Sequence, residues 1–498
     1  MKKSGDSQRT QKLEAILEIA KAMAVERNLT RLLEEIVENA RQVAGAERGS
    51  IFILDRERGE LWSKIAQGSQ EIRFPADRGI AGYVVKTRKP LNIADAYGDE
   101  RFNPEVDKTT GYRTRNLLTV PMVSAKNEVI GVLQVLNKAA AGLAFDSEDE
   151  ELLLAFSGQA AAAVENALLY EEISRLFEGF VSASVGAIEA RDPTTSGHSE
   201  RVAVLTCTLA DAVNRIHSGP LAKVSFSLEQ IKEIRYAAVL HDFGKVGVRE
   251  HVLVKAEKLY PHELTLVLAR FDFIRRTLEK EALERQLAIG RTSEPREAEG
   301  LLRQAGEDLK RRLEELEDAR KFILASNVPT VLDRGGFERL QKIAIQTYSS
   351  FEGPLPYLSS GELLSLSIPR GSLTPQDRLE IESHVTHTYN FLSKIPWTRN
   401  LRRVPEIAYG HHEKLDGSGY PRATQNSEIP VQTRMMTICD IYDALTASDR
   451  PYKKAVPVPK ALDILADEVK QKKVDAELFR VFAEARIFER MTFSRCGT

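Results

Sequence analysis

The chain has 498 residues, 42% of them hydrophobic, which is enough for two to four domains with sizeable cores. Its 70 basic and 72 acidic side chains give a net charge of −2, so we expect no general affinity for nucleic acid or for an anionic membrane. The three cysteines are widely spaced, which argues against a disulfide scaffold. The N-terminus has no apolar segment of the kind found in secretory signals, and no uninterrupted apolar run predicts a membrane span. We therefore expect a soluble, cytoplasmic protein.

The N-terminal third has a helical pattern followed by strand-like runs. Residues 8–45 carry apolar side chains at helical spacing, which predicts an N-terminal helix within residues 1–27 and a second helix after it. Two pairs of strand-like runs follow, GSIFILD with ELWSKIAQ and LLTVPMVS with EVIGVLQVLNK, and each pair is joined by a short polar turn. This order predicts an α+β domain that ends near residue 150.

The predicted α+β domain contains the segment RGIAGYVVKTRKPLNIADAYGDERFNPEVDKTTGYRTRNLLTVPM and, after it, Asn137, Lys138, Phe145 and Asp149. The segment is typical of the GAF family and the four residues match that family's NKxnFx3DE motif, so the domain resembles a GAF domain. The resemblance implies a sensory GAF domain over residues 28–150 whose ligand is cAMP or cGMP, with another small molecule or pure dimerisation as alternatives. Physically, Lys138 and Asp149 could instead form an ion pair that locks the end of a strand to the following helix.

A long helix is predicted over residues 149–191. This segment contains no proline and keeps its apolar residues at helical spacing, and a helix of about 40 residues is about 60 Å long. We expect a continuous connecting helix that pairs with its copy in a homodimer, because alanine at seam positions allows close approach. The alternative is a core helix joined to a second helix by a loop.

Residues 192–490 predict an all-α domain, since the pattern is helical with almost no alternating runs. Within it, residues 272–350 are highly charged and predict a helical insertion. Its simpler interpretation is a solvated helical hairpin. The functional alternative is a lid over the site or a dimer contact.

The nine histidines are concentrated beside carboxylates. They occur in GHSERV, VLHDFGK, IESHVTHTYNFL and GHHEKLDGSGYP, and an aspartate with similar apolar neighbours occurs in TICDIYDALT. Buried imidazoles and carboxylates need partners, and a metal ion is a common shared one. Neighbours on a helix point about 100° apart, so His411 and His412 can each face a different ion of a closely spaced pair. Nitrogen and oxygen ligands suit iron, manganese or zinc, and two metals about 3.5–4 Å apart are an established device for phosphoester hydrolysis.

Three of these motifs, HDFGK, HHEKLDGSGYP and DIYDALTASDRPYKKA, closely resemble the HD-GYP family of HD phosphohydrolases. The resemblance covers about residues 180–490 apart from the insertion, and it implies two metal ions between four helices with Asp242 as the bridge. It implies metal ligands at His198, His241, Asp242, His384, His411, His412 and Asp440. It also implies that Lys245 contacts a substrate phosphate and acts with His241 and Asp242 in catalysis. Further substrate contacts are implied at Gly417, Tyr420, Arg450 and Lys453, in a loop that glycine makes tight.

One ligand departs from the family spacing. The third histidine usually lies about thirty residues after the HD pair, but that region contains none here, so we assign the ligand to His384, 27 residues before His411. His387, one helical turn away, is the alternative. We expect no third ion, because Thr194 stands where some relatives have a glutamate. Asp192, six residues before His198, points elsewhere if the segment is helical.

The resemblance implies a bacterial enzyme that hydrolyses cyclic di-GMP to pGpG, GMP or both. The two divalent cofactor ions are expected to be iron or manganese. Alternatives are a hydrolase of another cyclic dinucleotide, such as cyclic GMP–AMP, and an inactive cyclic di-GMP-binding scaffold.

Overall fold

The computed structural model describes residues 17–63, 72–139, 143–192, 196–329, 331–351, 353–447 and 455–490. The chain divides into two compact units, Met1–Gly179 and Phe180–Thr498. The first is α+β and the second is helical apart from one β-hairpin, so the predicted fold class is confirmed. Residues 17–23 of the predicted N-terminal helix are helical, and residues 1–16 lie outside the described part.

Among the described residues, the strands of the first unit are β1 (Ala46–Asp55), β2 (Glu60–Ser63), β3 (Ile72–Pro75), β4 (Leu91–Ile93), β5 (Leu117–Val123) and β6 (Val129–Lys138). They form one antiparallel sheet in the order β3-β2-β1-β6-β5-β4. The helices are α1 (Leu29–Ala44), α2 (Gly79–Thr87), α3 (Glu105–Thr110) and the start of α4 (Ser147–Arg191), with a 3-10 turn at Ala96–Gly98.

The main core of this unit lies between one face of the sheet and two helices. Leu33 and Ile36 of α1 and Phe156 of α4 pack with Ile51 of β1 and Leu133 of β6 in one buried cluster. Alternate residues of the same strands face the other side, where a smaller cluster packs beneath α2. This alternation places successive side chains of each strand on opposite faces of the sheet.

The four motif residues join the end of β6 to the start of α4. The Lys138 ammonium lies 2.5 and 2.6 Å from the two oxygens of Asp149 and also donates to the Ala44 carbonyl at 2.9 Å. Asn137 is buried at a positive φ of 55°, and its side chain accepts from the Arg115 backbone N–H at 2.6 Å. Phe145 is buried beneath the Lys138 ammonium. The predicted ion pair between Lys138 and Asp149 is therefore present, and it fastens the connecting helix to the sheet.

We expect Asp149→Asn to destabilise the first unit by about 3 kcal/mol, because it leaves the Lys138 ammonium partly buried without its counter-charge. Glu18→Gln is the control, since Glu18 and Lys21 form a pair whose side chains are 74% and 73% exposed and should contribute less than about 1 kcal/mol. The chain has two tryptophans, so Trp397→Phe leaves Trp62 on β2 as a fluorescence reporter of this unit in denaturant. If Asp149→Asn and Glu18→Gln unfolded at the same denaturant midpoint, the stabilising role of the Lys138–Asp149 pair would be contradicted.

Helix α4 is a single element of 45 residues, which confirms the predicted continuous helix. Among the described residues it is the one helix long and apolar enough to cross a membrane, and half of its most apolar window is buried within the fold. Four of its large apolar side chains are exposed at spacings of four, three and four residues, namely Leu169, Ile173, Leu176 and Phe180. This exposed row, called here the α4 stripe, follows the 3.5-residue repeat of a coiled coil.

In the second unit, helices surround the histidine-containing segments. Its helices are α5 (His198–Val213), α6 (Leu228–Leu240), α7 (Glu250–Leu253), α8 (Pro261–Thr292), α9 (Pro295–Asn327), α10 (Arg334–Ala344), α11 (Ser360–Leu366), α12 (Pro375–Leu392), α13 (Val404–Tyr409), α14 (Val431–Thr446), α15 (Val458–Lys470) and α16 (Ala476–Glu484). Three 3-10 segments occupy Phe243–Gly247, Asn426–Glu428 and Ile487–Glu489. A β-hairpin pairs β7 (Thr347–Ser350) with β8 (Gly353–Pro356).

The charged insertion has a hydrophobic core of its own. Helices α8 and α9 form the long hairpin expected from the sequence, but α8 begins at Pro261, before the predicted start at residue 272. Phe271, Ile274 and Ile323 of the hairpin pack with Leu340 of α10. The insertion ends in β7, which pairs with β8 just beyond the predicted end at residue 350, and its helical pattern did not predict this hairpin. The insertion is therefore a small packed subdomain and more than a solvated hairpin.

Candidate metal centre

The sequence-predicted ligands come together although they are spread over 243 positions of the chain. His198 opens α5, His241 and Asp242 directly follow α6, and His384 lies in α12. The adjacent histidines follow α13, and Asp440 lies in α14. All seven residues are buried except His412, whose side chain is 30% exposed and faces a cleft.

The HD loop is fixed directly on the helix that carries His384. The Gly244 N–H donates to the Thr388 hydroxyl at 2.8 Å, and that hydroxyl donates to the His241 carbonyl at 2.9 Å. A Cβ at Gly244 would lie 1.9 Å from the His384 carbonyl oxygen, so only glycine permits this approach. The ring of Phe243 stacks on that of Phe391 with centroids 3.9 Å apart.

The ligand atoms form two groups of three, His198 with His241 and Asp242, and His384 with His411 and His412. Within each group the three ligand atoms all lie within 4.8 Å of one another. Asp242 reaches both groups, because its Oδ1 lies 3.2 Å from His384 Nε2 and its Oδ2 lies 3.6 Å from His241 Nε2. This is the arrangement that a bridging carboxylate requires.

Asp440 also spans the two groups. Its Oδ1 lies 3.2 Å from His198 Nε2, and its Oδ2 lies 3.9 Å from His412 Nδ1. Two carboxylates thus stand between five imidazoles, in a donor set of nitrogen and oxygen without thiolate.

Three histidines present an unprotonated nitrogen to the centre. The Nδ1 atoms of His241, His384 and His411 lie 2.7, 2.5 and 2.6 Å from the carbonyl oxygens three residues earlier. A carbonyl only accepts, so each Nδ1 carries the proton and each Nε2 has a free lone pair. His411 Nε2 and His384 Nε2 are buried without a hydrogen bond among the described residues. Orphaned nitrogens of this kind fit a divalent cation.

The protonation states of His411, His412 and Asp242 suit the same cation. Burial lowers the pKa of His411 well below its usual value and that of His412 to about 3. Burial alone would raise the pKa of Asp242, but Lys245 and the neighbouring histidines hold it well below the ordinary range. Neutral imidazoles beside ionised carboxylates are the ligand forms that a divalent ion needs.

His198 is held differently, by a carboxylate and an arginine. Its Nδ1 lies 2.7 Å from Asp443 Oδ2, and the Arg201 guanidinium donates to both oxygens of Asp443 at 2.7 and 3.0 Å. Burial acts to lower the pKa of His198, but hydrogen bonds with Asp440 and Asp443 outweigh it and raise the pKa to about 9. The sequence analysis missed Asp443 and Arg201. Their spacing in the sequence could have indicated this role, because each lies three residues after a predicted ligand on the same helix.

Lys245 occupies the edge of the centre. Its ammonium lies 2.9 Å from Asp242 Oδ2 and 3.1 Å from Asp192 Oδ2. Asp192 was expected to point elsewhere if its segment were helical, but α4 ends at Arg191 and Asp192 faces Lys245 beside the centre. Thr194 lies outside the described residues.

The loop after the paired histidines is tight for a steric reason. Gly417 has a φ of +79°, and a Cβ at Gly419 would lie 2.4 Å from the backbone nitrogen of Lys414. The buried carboxylate of Glu413 accepts from the backbone N–H groups of Arg422 and Thr424 at 2.8 and 3.1 Å, which closes the loop. The predicted substrate residues Arg450 and Lys453 lie outside the described part of the chain.

A cleft of about 400 Å³ opens beside His412 and Tyr420, whose rings lie 4.8 Å apart. It is lined by α12, the tight loop, the end of α14 and α15. His387, the alternative ligand, lies elsewhere: it is exposed, and its ring faces Gly247. The structure thus places His384, and not His387, among the other candidate ligands.

We expect Asp443→Asn to weaken metal binding by roughly 10–100-fold, because the neutral amide orients and polarises His198 less well than the carboxylate. Asp463→Asn is the matched control, an exposed aspartate on α15. Metal retention is measured by elemental analysis after dialysis against graded chelator. Identical retention in the two variants would show that Asp443 does not support the centre.

Two family models match parts of this chain. Residues 28–164 match the GAF domain and residues 358–478 match the HD domain. The chain therefore contains a GAF domain and an HD-family domain, as its motifs predicted. The HD match includes His384, the paired histidines and Asp440, while the fold adds His198 and the HD pair from outside that range.

Curated relatives match over about one third of the chain. A probable 3',5'-cyclic phosphodiesterase pde-5 of Caenorhabditis elegans is 33% identical over 162 residues, which are 30% of this chain and 22% of that protein. The dual 3',5'-cyclic-AMP and -GMP phosphodiesterase 11 of Drosophila melanogaster is 35% identical over 177 residues, 32% of this chain and 12% of that protein. The chain thus spans less than a quarter of the length of either relative.

Similar solved structures include the GAF domain of a phosphoenolpyruvate-protein phosphotransferase from Coxiella burnetii. It is 22% identical, with a TM-score of 0.30, and the match covers 33% of this chain and 98% of that one. A GAF domain/HD domain protein from Geobacter sulfurreducens is 16% identical, with a TM-score of 0.25, and the match covers 29% of this chain and 95% of that one.

Proposed function

We propose that this protein is a cytoplasmic, metal-dependent phosphodiesterase of the HD-GYP type that hydrolyses cyclic di-GMP to pGpG, GMP or both. The observation that carries the proposal is the pair of three-residue ligand groups with Asp242 reaching into both. Such a pair suits two divalent ions, and two-metal sites are well adapted to in-line displacement at phosphorus. The His-and-carboxylate donor set favours iron or manganese.

Ions bound by these seven residues would supply activated water and neutralise charge on the phosphodiester. The chain's own side chains would bind and orient the substrate. Lys245, next to Asp242, is placed to neutralise a phosphoryl oxygen as charge develops on it. Tyr420 forms part of the cleft wall beside His412 and presents an aromatic face to a nucleotide.

His384 and His387 provide an internal test of the site. We expect His384→Ala and Asp242→Ala to lower both metal content and cyclic di-GMP hydrolysis by more than 100-fold. This loss exceeds the roughly 10–100-fold loss that is typical when a residue hydrogen-bonded to a metal ligand is replaced. His387→Ala, one helical turn away and exposed, should keep about two ions per chain and full activity.

Metal content of anaerobically purified protein and product chromatography measure both effects. A folded Asp242→Ala protein that hydrolyses cyclic di-GMP at the parent rate would refute the proposal. Activity on cyclic GMP–AMP alone would redirect it to that substrate.

We further propose that the GAF domain binds a small ligand, cAMP or cGMP, and that the chain is a parallel homodimer through α4. The α4 stripe supports the dimer, since Leu169, Ile173, Leu176 and Phe180 are 48–77% exposed at heptad spacing. The exposed row continues through Ala183 and Ala187 at spacings of three and four residues. A second copy of the same helix is the occupant that this repeat fits.

We expect the double variant Ile173→Glu and Leu176→Glu to be a monomer at micromolar concentration, because it places four carboxylates in the apolar seam of a dimer. Arg175→Glu is the control, since Arg175 is exposed on the same helix but lies outside the stripe. Light scattering coupled to gel filtration gives the mass of each. A monomeric parent protein would remove the dimer proposal.

A further inference from the structure

The cleft beside the metal centre contains charges of both signs. Its lining includes the basic side chains Arg378, Lys414 and Lys473 and the acidic side chains Glu382 and Glu468. Basic groups suit the phosphates of a cyclic dinucleotide, but a carboxylate in the same cleft repels them and weakens binding. We therefore expect the acidic side chains to contact a part of the ligand other than its phosphates.

Glu468 lies next to Lys414 in the cleft wall. The Lys414 ammonium is 3.9 Å from Glu468 Oε2, and the two side chains are 22% and 27% exposed. This distance allows an ion pair but is too long for a hydrogen bond, so the carboxylate oxygens and the ammonium hydrogens can still bond a ligand. The cleft wall therefore presents the acceptor oxygens of Glu468 beside the donor ammonium of Lys414.

Backbone hydrogen bonds hold these two groups side by side. The Leu415 N–H donates to the Lys473 carbonyl at 3.0 Å, and the Lys473 N–H donates to the Glu468 carbonyl at 3.0 Å. They connect the tight loop to the end of α15, so the Lys414–Glu468 pair is fixed before a ligand arrives. Preorganised polar groups of this kind give specificity more than affinity.

The pair is complementary to one nucleobase. The Watson–Crick edge of guanine presents two N–H donors, at N1 and N2, beside the O6 acceptor. A carboxylate only accepts and an ammonium only donates, so Glu468 can take both donors while Lys414 donates to O6. Adenine offers one donor on that edge and has no amino group at C2, which leaves an oxygen of Glu468 without a partner.

We propose that Glu468, together with Lys414, binds a guanine base of the substrate and makes the enzyme select guanine over adenine. This inference rests on the proposed cyclic dinucleotide phosphodiesterase activity, and it names the base that the same site reads. Glu468 is a specificity residue in this scheme. It takes no part in metal binding or in the bond cleavage.

The test compares kcat/KM for cyclic di-GMP and cyclic di-AMP in the full-length, metal-loaded protein. We expect Glu468→Gln and Glu468→Ala to lower kcat/KM for cyclic di-GMP by roughly 10–100-fold, because each variant loses hydrogen bonds to a charged group. The kcat/KM for cyclic di-AMP should stay nearly unchanged. Glutamine should lose less selectivity than alanine, because its amide oxygen still accepts one hydrogen bond. Metal content should stay at the parent level in both variants.

Asp467→Asn is the matched control, because this neighbouring aspartate pairs with Lys470 at 2.8 Å, is 63% exposed and does not line the cleft. It should keep the parent selectivity. If the parent prefers cyclic di-GMP and Glu468→Gln keeps that preference in full, guanine reading by Glu468 is refuted while the phosphodiesterase proposal stands. If the metal-loaded parent hydrolyses no cyclic dinucleotide, the proposed function fails and this inference fails with it.

Discussion

The second unit depends on one constraint: five imidazoles and two carboxylates are gathered where water has little access. Each such group is costly to bury without a partner, and two imidazole nitrogens there have no hydrogen bond among the described residues. Repulsion between Asp242 and Asp440 adds to that cost. A pair of cations shared by the seven residues would remove both problems, and it would couple the site to the stability of the helical core.

The surroundings of the centre are built to hold its ligands in one orientation. Backbone carbonyls fix the rings of His241, His384 and His411, while Asp443 and Arg201 fix His198. The segment that leads into the insertion is fastened to the same helix as His384, since the Tyr260 hydroxyl donates to Asp377 at 2.8 Å and Lys255 pairs with Asp377 at 2.7 Å. The insertion that follows has a packed core of its own.

The sequence predicted those parts of the molecule whose signal is local. Helical spacing predicted α4, and short motifs predicted the seven candidate ligand residues that the fold brings together. It could not predict contacts that depend on where distant segments meet. Asp192 was expected to point away, yet the end of α4 turns it toward Lys245, and the core of the insertion joins α8 to α10 across dozens of residues. The cleft pair Lys414–Glu468 is of the same kind, since 54 residues separate its members.

The two ends of α4 suggest how the domains could communicate. Near its start, Asp149 is fastened to the motif lysine of the GAF domain. At its end, Arg191 donates to the Val246 and Val248 carbonyls in the HD loop, and the next residue, Asp192, pairs with Lys245. A ligand that favours one state of the GAF domain can affect catalysis only if the two states differ at this far end. Lys245 is where such a difference would matter, because its ammonium is shared between Asp192 and Asp242. A small displacement of the helix end would change that sharing, and with it the charge next to the metal centre.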